Sequence, residues 1–127
     1  MRALVIDDSR TMRHIVADIL EELGFSTTQA GNGREALDLL EAGETYDLAC
    51  IDWNMPVMDG FEFVAAVHAR PEWRDLTLIM VTTEGELGQI VRALTAGAHE
   101  YVIKPFTSDA IASKLQLLGL LPAGEPI

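Results

Sequence analysis

The stretch LACIDWNMP, residues 48–56, decides the fold. Its first four residues are apolar, as in a strand that is buried on both faces of a parallel sheet. The apolar run stops at Asp52, and Pro56 soon follows, which predicts a turn. An acid at the end of a buried strand is a candidate for function, although such a residue can equally belong to the turn. Asp52 is therefore our candidate reactive residue.

Short apolar runs and longer helical patterns alternate on both sides of this stretch. The runs predict strands at residues 3–6, 26–30, 48–51, 78–81 and 101–103. Apolar residues at helical spacing, bounded by cap and turn residues, predict a helix after each strand. Such alternation indicates an α/β fold, with a parallel sheet covered on both faces by helices. We expect one domain over residues 1–121 and a loose tail over 122–127.

The helical spacing also predicts which residues face the core. Asn32, Asp59 and either Thr107 or Ser108 are the expected N-caps of the second, third and fifth helices. The expected inner residues are Met12, Ile15, Val16, Ile19, Leu20 and Leu23 in the first helix, Ala36, Leu37 and Leu40 in the second, Phe61, Val64 and Ala65 in the third, Leu87, Ile90, Val91 and Leu94 in the fourth, and Ile111, Leu115 and Leu118 in the fifth.

The composition is typical of a globular protein with one core. The chain has 127 residues and a formal net charge of −11, which disfavours binding to nucleic acid or to anionic membranes. Its single cysteine, Cys50, cannot form an internal disulfide. The sequence carries no leader pattern and no apolar run of about 18 residues. We expect a cytoplasmic protein that is neither exported nor inserted in a membrane.

Polar residues follow four of the predicted strands. Because the carboxyl ends of parallel strands meet at one edge of a sheet, we expect these side chains to lie close together. Three carboxylates at one edge repel each other and need a cation, and an incomplete set of oxygen ligands suits magnesium. The residues are Asp7 and Asp8 after the first strand, Asp52 after the third, Thr82 and Thr83 at the end of the fourth, and Lys104 after the fifth.

A carboxylate, a divalent metal, a lysine and a hydroxyl group together suit phosphoryl transfer onto the carboxylate. An aspartate can attack phosphorus and form an aspartyl phosphate, while the metal and Lys104 neutralise charge on the transferring group. Asp52 is the expected acceptor, because it stands alone at a central strand end. Asp7 and Asp8 are adjacent and resemble a metal-holding pair, and Thr82 supplies the hydroxyl group.

Each of these residues also has a plain structural interpretation. Asp8 or Ser9 could cap the first helix, and Asp52 could belong to the turn before Pro56. Thr82 could bond a loop, and Lys104 could be a solvated charge. We favour the functional interpretation because separate strand ends carry the complete set.

Five motifs, in this order, resemble those of response-regulator receiver domains. They are DDSRTMR at residues 7–13, DWNMPVMDG at 52–60, VT at 81–82, AG at 96–97 and YVIKPFT at 101–107. The likeness is greatest to the single-domain chemotaxis regulators of this family. It implies a flavodoxin-like (βα)5 fold with strand order 2-1-3-4-5, in a monomeric protein.

The resemblance implies how the acids would work. Asp52 would accept phosphate from the phosphohistidine of a histidine kinase. Asp8, Asp52 and the backbone carbonyl of Asn54 would hold Mg²⁺ directly, and Asp7 would hold it through water. Asn54 and Glu84 would flank the phosphoryl group and tune how fast water removes it, which predicts a short-lived phosphorylated state.

The resemblance also implies a switch. Lys104 would pair with the phosphoryl group and precede Pro105 in a cis peptide bond. Thr82 would move inward to bond a phosphoryl oxygen, and Tyr101 would turn from an exposed to a buried rotamer. The face around the fourth helix, fifth strand and fifth helix would then bind a target protein.

Three functional hypotheses follow. The first is a phosphorylation-activated switch of a two-component system in chemotaxis. Its target would be the flagellar motor switch, and a phosphatase would be a further partner. The alternative is that the switch acts in a phosphorelay or in another pathway without motility. Such a switch catalyses only its own phosphorylation and dephosphorylation. The second is an aspartate-nucleophile phosphatase, disfavoured because Asn54 stands where that chemistry needs an acid. The third is an interaction module that never takes phosphate, disfavoured by the intact Asp52, Thr82 and Lys104.

Overall fold

The computed structural model describes residues 1–83, 87–104 and 106–121. The strands are β1 (Arg2–Ile6), β2 (Ser26–Ala30), β3 (Leu48–Asp52), β4 (Thr77–Thr83) and β5 (Glu100–Lys104). The helices are α1 (Arg10–Glu22), α2 (Gly33–Glu41), α3 (Gly60–His68), α4 (Leu87–Ala96) and α5 (Ser108–Leu117), with a short 3-10 helix at Pro71–Trp73. Glu84, Pro105 and the predicted tail at 122–127 lie outside the described residues, so the division into domain and tail stays a prediction.

The strands form one parallel sheet in the order β2-β1-β3-β4-β5. This confirms the predicted α/β class and the flavodoxin-like strand order. In the sheet β3 is central and all its residues are buried. The side chains of Ala49 and Ile51 join the core under α2, α3 and α4, while Leu48 and Cys50 join the core under α1 and α5. Asp52 therefore ends the middle strand of a three-layered protein.

Local signals at the helix ends agree with the predictions. Asn32, Asp59 and Thr107 each accept a backbone N–H of the first helical turn through their side chains. Asp59 and Glu62 form a capping box, with distances of 2.8 and 3.1 Å between the bonded atoms. None of the described helices has the length and apolar character needed to cross a bilayer.

The predicted inner faces of three helices were partly wrong. Ile15 in α1 is 45% exposed, and Val91 and Leu94 in α4 are 65% and 41% exposed. Among the described side chains of α4, Ile90 and Ala93 are buried. The small side chain of Ala93 lets the helix approach its neighbours closely. The side chain of Leu87 lies outside the description.

In α3, Ala65 is exposed and Phe61 is only half-buried, whereas Phe63 and Val67 are buried. The sequence of this helix, GFEFVAAVH, has apolar residues around most of its circumference. Apolar spacing alone therefore does not determine which side of α3 faces the sheet.

Gly60 begins α3 against the end of β3. A Cβ atom here would lie 2.5 Å from the carbonyl oxygen of Asp52 and 3.0 Å from both the Sδ of Met80 and the Cα of Trp53. The N–H of Gly60 donates to the carbonyl of Trp53 at 2.9 Å. Any side chain at this position would push α3 away from the strand, because packed backbone cannot yield by that much.

Val57, in the loop between β3 and α3, has a left-handed backbone with φ of 69°. Its side chain is 78% exposed, so packing within the chain does not offset the strain. The residues on either side of Val57 are bonded to each other, because the N–H of Met58 donates to the carbonyl of Pro56 at 2.8 Å. A left-handed backbone costs a residue with a Cβ about 1–2 kcal/mol, and a β-branched side chain is an outlier there.

Val57→Asn is expected to raise the free energy of unfolding by about 1 kcal/mol, because asparagine adopts this conformation more readily. Urea unfolding of the two proteins measures the difference. Val91→Asn is the matched control: this exposed valine lies in a helix, where asparagine brings no relief and stability should not rise. A less stable Val57→Asn variant would contradict the assignment of strain.

Candidate functional site

The acids predicted at the sheet edge do lie together. One carboxylate oxygen from each of Asp7, Asp8 and Asp52 lies within 4.8 Å of the other two. We call these three residues the acidic cluster. Pairing of Ile6 with Ile51 aligns the ends of β1 and β3, so residues distant in sequence meet at one place.

Lys104 completes this arrangement from β5. Its Nζ lies 2.9 Å from Oδ1 of Asp52 and 3.7 Å from Oδ2 of Asp7, with only 21% of the side chain exposed. Burial lowers the pKa of Lys104, but the hydrogen bond and charge of Asp52 more than offset this, so the pKa ends above its ordinary value. Interpretation of Lys104 as a solvated charge is therefore wrong, and Asp52 is a bonded strand residue rather than a turn residue.

The two buried acids of the cluster have raised pKa values. Burial raises the pKa of Asp7 most, and the N–H of Ser9, which donates to its Oδ1 at 2.8 Å, counters this only in part. Burial likewise raises the pKa of Asp52, and the hydrogen bond from Lys104 counters it incompletely. One lysine therefore does not balance the negative charge of the site.

This imbalance predicts a pH dependence for the metal-free protein. An acid whose folded pKa is raised costs no stability below its ordinary pKa of about 4, and the cost appears as pH rises through the folded pKa. Because asparagine resembles protonated aspartate, Asp52→Asn should be more stable than wild type in EDTA at neutral pH. The difference should shrink as pH falls towards about 4.

Urea unfolding at several pH values tests this expectation. Saturating Mg²⁺ is the internal control, because an ion bound only by the folded state should stabilise wild type more than Asp52→Asn. An Asp52→Asn variant that is less stable than wild type at neutral pH in EDTA would show that the Asp52 charge is well compensated.

The acidic cluster fits a hard divalent cation. Asp7 and Asp52 are buried, whereas Asp8 is exposed beside an open cavity of about 340 Å³ that Asn54 and Asp59 also line. Carboxylate oxygens with one open side suit Mg²⁺, which keeps several waters and shares its shell with phosphate. Asp7, Asp8 and Asp52 would hold the ion; a contribution from the Asn54 carbonyl stays a prediction.

The two predicted switch residues lie on neighbouring strands. Val81 pairs with Asp52, so Thr82 is the next residue along β4, and its side chain is fully buried. Tyr101 on β5 is half-buried, with Nζ of Lys114 4.5 Å from the centre of its ring. Inward movement of either side chain on phosphorylation stays a prediction.

The loop after β1 decides between the two candidate caps of α1 and adds one contact that was not singled out from the sequence. Ser9, and not Asp8, caps α1, since its Oγ accepts the N–H of Met12 at 3.2 Å. One turn further on, Arg13 donates from Nη1 to the carbonyl oxygen of Asp7 at 2.7 Å. The available signal was its spacing: a residue one turn after an N-cap can reach back over the strand end.

The sequence matches the response regulator receiver domain family over residues 3–116. It is 44% identical over 117 residues to a chemotaxis protein CheY homolog of Campylobacter jejuni, covering 91% of this chain and 90% of that protein. It is 40% identical over 117 residues to the chemotaxis protein CheY of Pseudomonas aeruginosa, covering 91% and 94%.

Solved structures show the same likeness. Chemotaxis protein CheY4 of Vibrio cholerae superimposes with a TM-score of 0.82 at 34% identity, covering 91% of this chain and 96% of that one. The receiver domain of a sensor histidine kinase from Pseudomonas aeruginosa, which has a magnesium ion coordinated in its active-site cleft, gives 0.81 at 26% identity, covering 91% and 94%. With its family match, strand order and acidic cluster, the chain belongs to the response regulator receiver domain family, as a CheY-like receiver of a two-component system.

Proposed function

We propose that this protein is a phosphorylation-activated switch that accepts phosphate on Asp52 from a histidine kinase, with Mg²⁺ as cofactor. The observation that carries the proposal is the contact between Lys104 and Asp52, 2.9 Å long and surrounded by the rest of the acidic cluster. A purely structural ion pair would not need two further acids beside it. The arrangement suits a carboxylate that must meet an anionic donor.

The residues have separate tasks in this reaction. A carboxylate oxygen of Asp52 forms a bond to phosphorus as the bond from phosphorus to the donor histidine nitrogen breaks. Lys104 orients the carboxylate through Oδ1 and remains beside the phosphoryl oxygens, where its charge opposes theirs. Mg²⁺ held by the acidic cluster would neutralise the remaining negative charge. Asn54 and Glu84 are proposed to tune the later attack by water.

The proposed output surface includes α4. Val91 and Leu94 of this helix are exposed, although apolar, and Tyr101 lies half-buried on the neighbouring β5. Exposed apolar residues on a helix suit contact with another protein. Phosphorylation would shift the population only if the phosphoryl group binds better to the inward arrangement of Thr82. The relatives of this chain include chemotaxis proteins, so we propose that its target is a flagellar motor switch. We also propose that the protein is monomeric and cytoplasmic.

Incubation with Mg²⁺ and acetyl phosphate tests the function. The switch predicts one acid-stable, alkali-labile phosphoryl group per chain, formed with Mg²⁺ and absent in EDTA. Repeated turnover of unrelated phosphate esters would instead indicate a phosphatase, and absence of label an interaction module. Neither alternative is favoured by a contact in the site.

A binding assay addresses the output. The protein is mixed with the purified flagellar motor switch protein, with and without beryllofluoride as a phosphoryl analogue. Binding that increases with the analogue supports the chemotaxis assignment. Equal binding in both states contradicts it and favours a phosphorelay or another pathway without motility.

A further inference from the structure

Arg13 contacts the metal-site loop through the backbone rather than through an acid. Its Nη1 donates to the carbonyl oxygen of Asp7 at 2.7 Å, and its Nε lies 3.4 Å from Oε1 of Gln29. The side chain is half-buried, and Gln29 belongs to the end of β2. The guanidinium group thus bonds the loop after β1 and the end of β2 at the same time.

The bonded carbonyl belongs to the peptide that joins Asp7 to Asp8. Its position beyond β1 leaves it outside the sheet ladder, while the N–H of Asp7 still donates to the carbonyl of Ala30 at 3.2 Å. Arg13 therefore restrains the rotation of one peptide plane. Because this plane joins the two acids, a change in ψ of Asp7 or in φ of Asp8 would swing Asp8 away from Asp7 and Asp52.

We infer that Arg13 is a positioning residue for the metal site, which fixes the Asp7–Asp8 peptide so that their carboxylates converge with Asp52. The inference rests on the proposed function only in requiring a divalent cation at the acidic cluster. Groups that orient metal ligands without touching the ion change metal affinity by about 10- to 100-fold when removed. Arg13 would act in the same way, through the backbone of Asp7 and without touching the ion.

Positioning differs from simple charge in one measurable respect. Mg²⁺ needs nearly ideal octahedral geometry, whereas Ca²⁺ accepts longer and more variable bonds. Loss of positioning should therefore weaken Mg²⁺ binding more than Ca²⁺ binding. Loss of one nearby positive charge, in contrast, should favour both cations and depend on salt concentration.

Three variants separate these effects. Arg13→Met removes the hydrogen bond and the charge, Arg13→Lys keeps a charge and a donor, and Arg10→Met removes an exposed positive charge from the same helix. Dissociation constants for MgCl₂ and CaCl₂ are measured from the fluorescence of Trp53, the buried neighbour of Asp52. Urea unfolding in EDTA checks that each variant is folded over the range used.

For Arg13→Met, the Mg²⁺ dissociation constant should rise by about tenfold or more, and the Ca²⁺ dissociation constant should rise less. The rise for Mg²⁺ should remain about as large in roughly 0.5 M KCl, because salt screens only the charge contribution. Arg13→Lys should recover most of the affinity, and Arg10→Met should retain it.

Equal weakening of Mg²⁺ and Ca²⁺ binding, or unchanged Mg²⁺ binding in Arg13→Met, would overturn the inference while leaving the proposed function intact. A wild-type protein that binds neither ion would instead overturn the metal site itself, and the role of Arg13 with it.

Discussion

Asp52→Asn is expected to lose all covalent phosphate when incubated with acetyl phosphate and Mg²⁺. An amide cannot form the acyl phosphate bond, and the neighbouring acids are expected to hold the metal instead of attacking phosphorus. Incorporation of radioactive phosphate, followed by peptide mapping, measures both the amount and the position of the label. The expected change is complete, because no partial chemistry replaces the nucleophile.

Asp59→Asn is the matched control for this loss. Asp59 also lines the cavity beside the acidic cluster, but its task is to cap α3, which asparagine performs equally well. This variant should label as wild type does. Undiminished label in Asp52→Asn, or label mapped to Asp59, would assign the acceptor to another residue.

Lys104→Met should slow phosphorylation by about 10²- to 10³-fold, the usual cost of removing one group that stabilises transition-state charge. The same change should tighten Mg²⁺ binding, because the ammonium group now 2.9 Å from Asp52 competes with the ion for the same carboxylates. Opposite changes in rate and affinity would distinguish a catalytic lysine from one that merely holds the fold together. Phosphate incorporation and Trp53 fluorescence measure the two quantities.

Lys114→Met is the control, because Lys114 is the other lysine of the chain and is also partly buried and paired, at 3.0 Å from Glu100. Its partner Glu100 begins β5, at the opposite end of the strand from Lys104, which predicts an unchanged rate of labelling. A Lys104→Met variant that labels as fast as Lys114→Met would remove Lys104 from the chemistry.

The sheet edge could be predicted because parallel strands carry their end residues to one place. The positions of Asp7, Asp52 and Lys104 could be predicted from the three apolar runs that precede them, because parallel strands all end at the same edge. The observed strand pairing brings these residues together. The inner faces of α3 and α4 could not be predicted equally well. The residues of α3 are apolar around most of its circumference. In α4 the small Ala93 is buried while the larger Val91 is exposed.

The contribution of Arg13 depends on a contact to backbone, which leaves no pattern of paired charges in the sequence. The same holds for Ser9, whose hydroxyl caps α1 where Asp8 was an equally good candidate by residue type. In both cases the contact depends on the distance between a side chain and a backbone group about one helical turn away. Spacing can indicate that such contacts are available, but only the three-dimensional path selects one.

The contact between Gly60 and the end of β3 has a consequence for the evolution of such proteins. The acids and the lysine matter for phosphorylation, so a descendant that signals without phosphate could replace them and still fold. Gly60 is constrained differently, because a side chain there would meet the carbonyl oxygen of residue 52 at 2.5 Å whatever side chain residue 52 carries. Glycine at this position should therefore outlast the chemistry, and mark descent in receivers that have abandoned it.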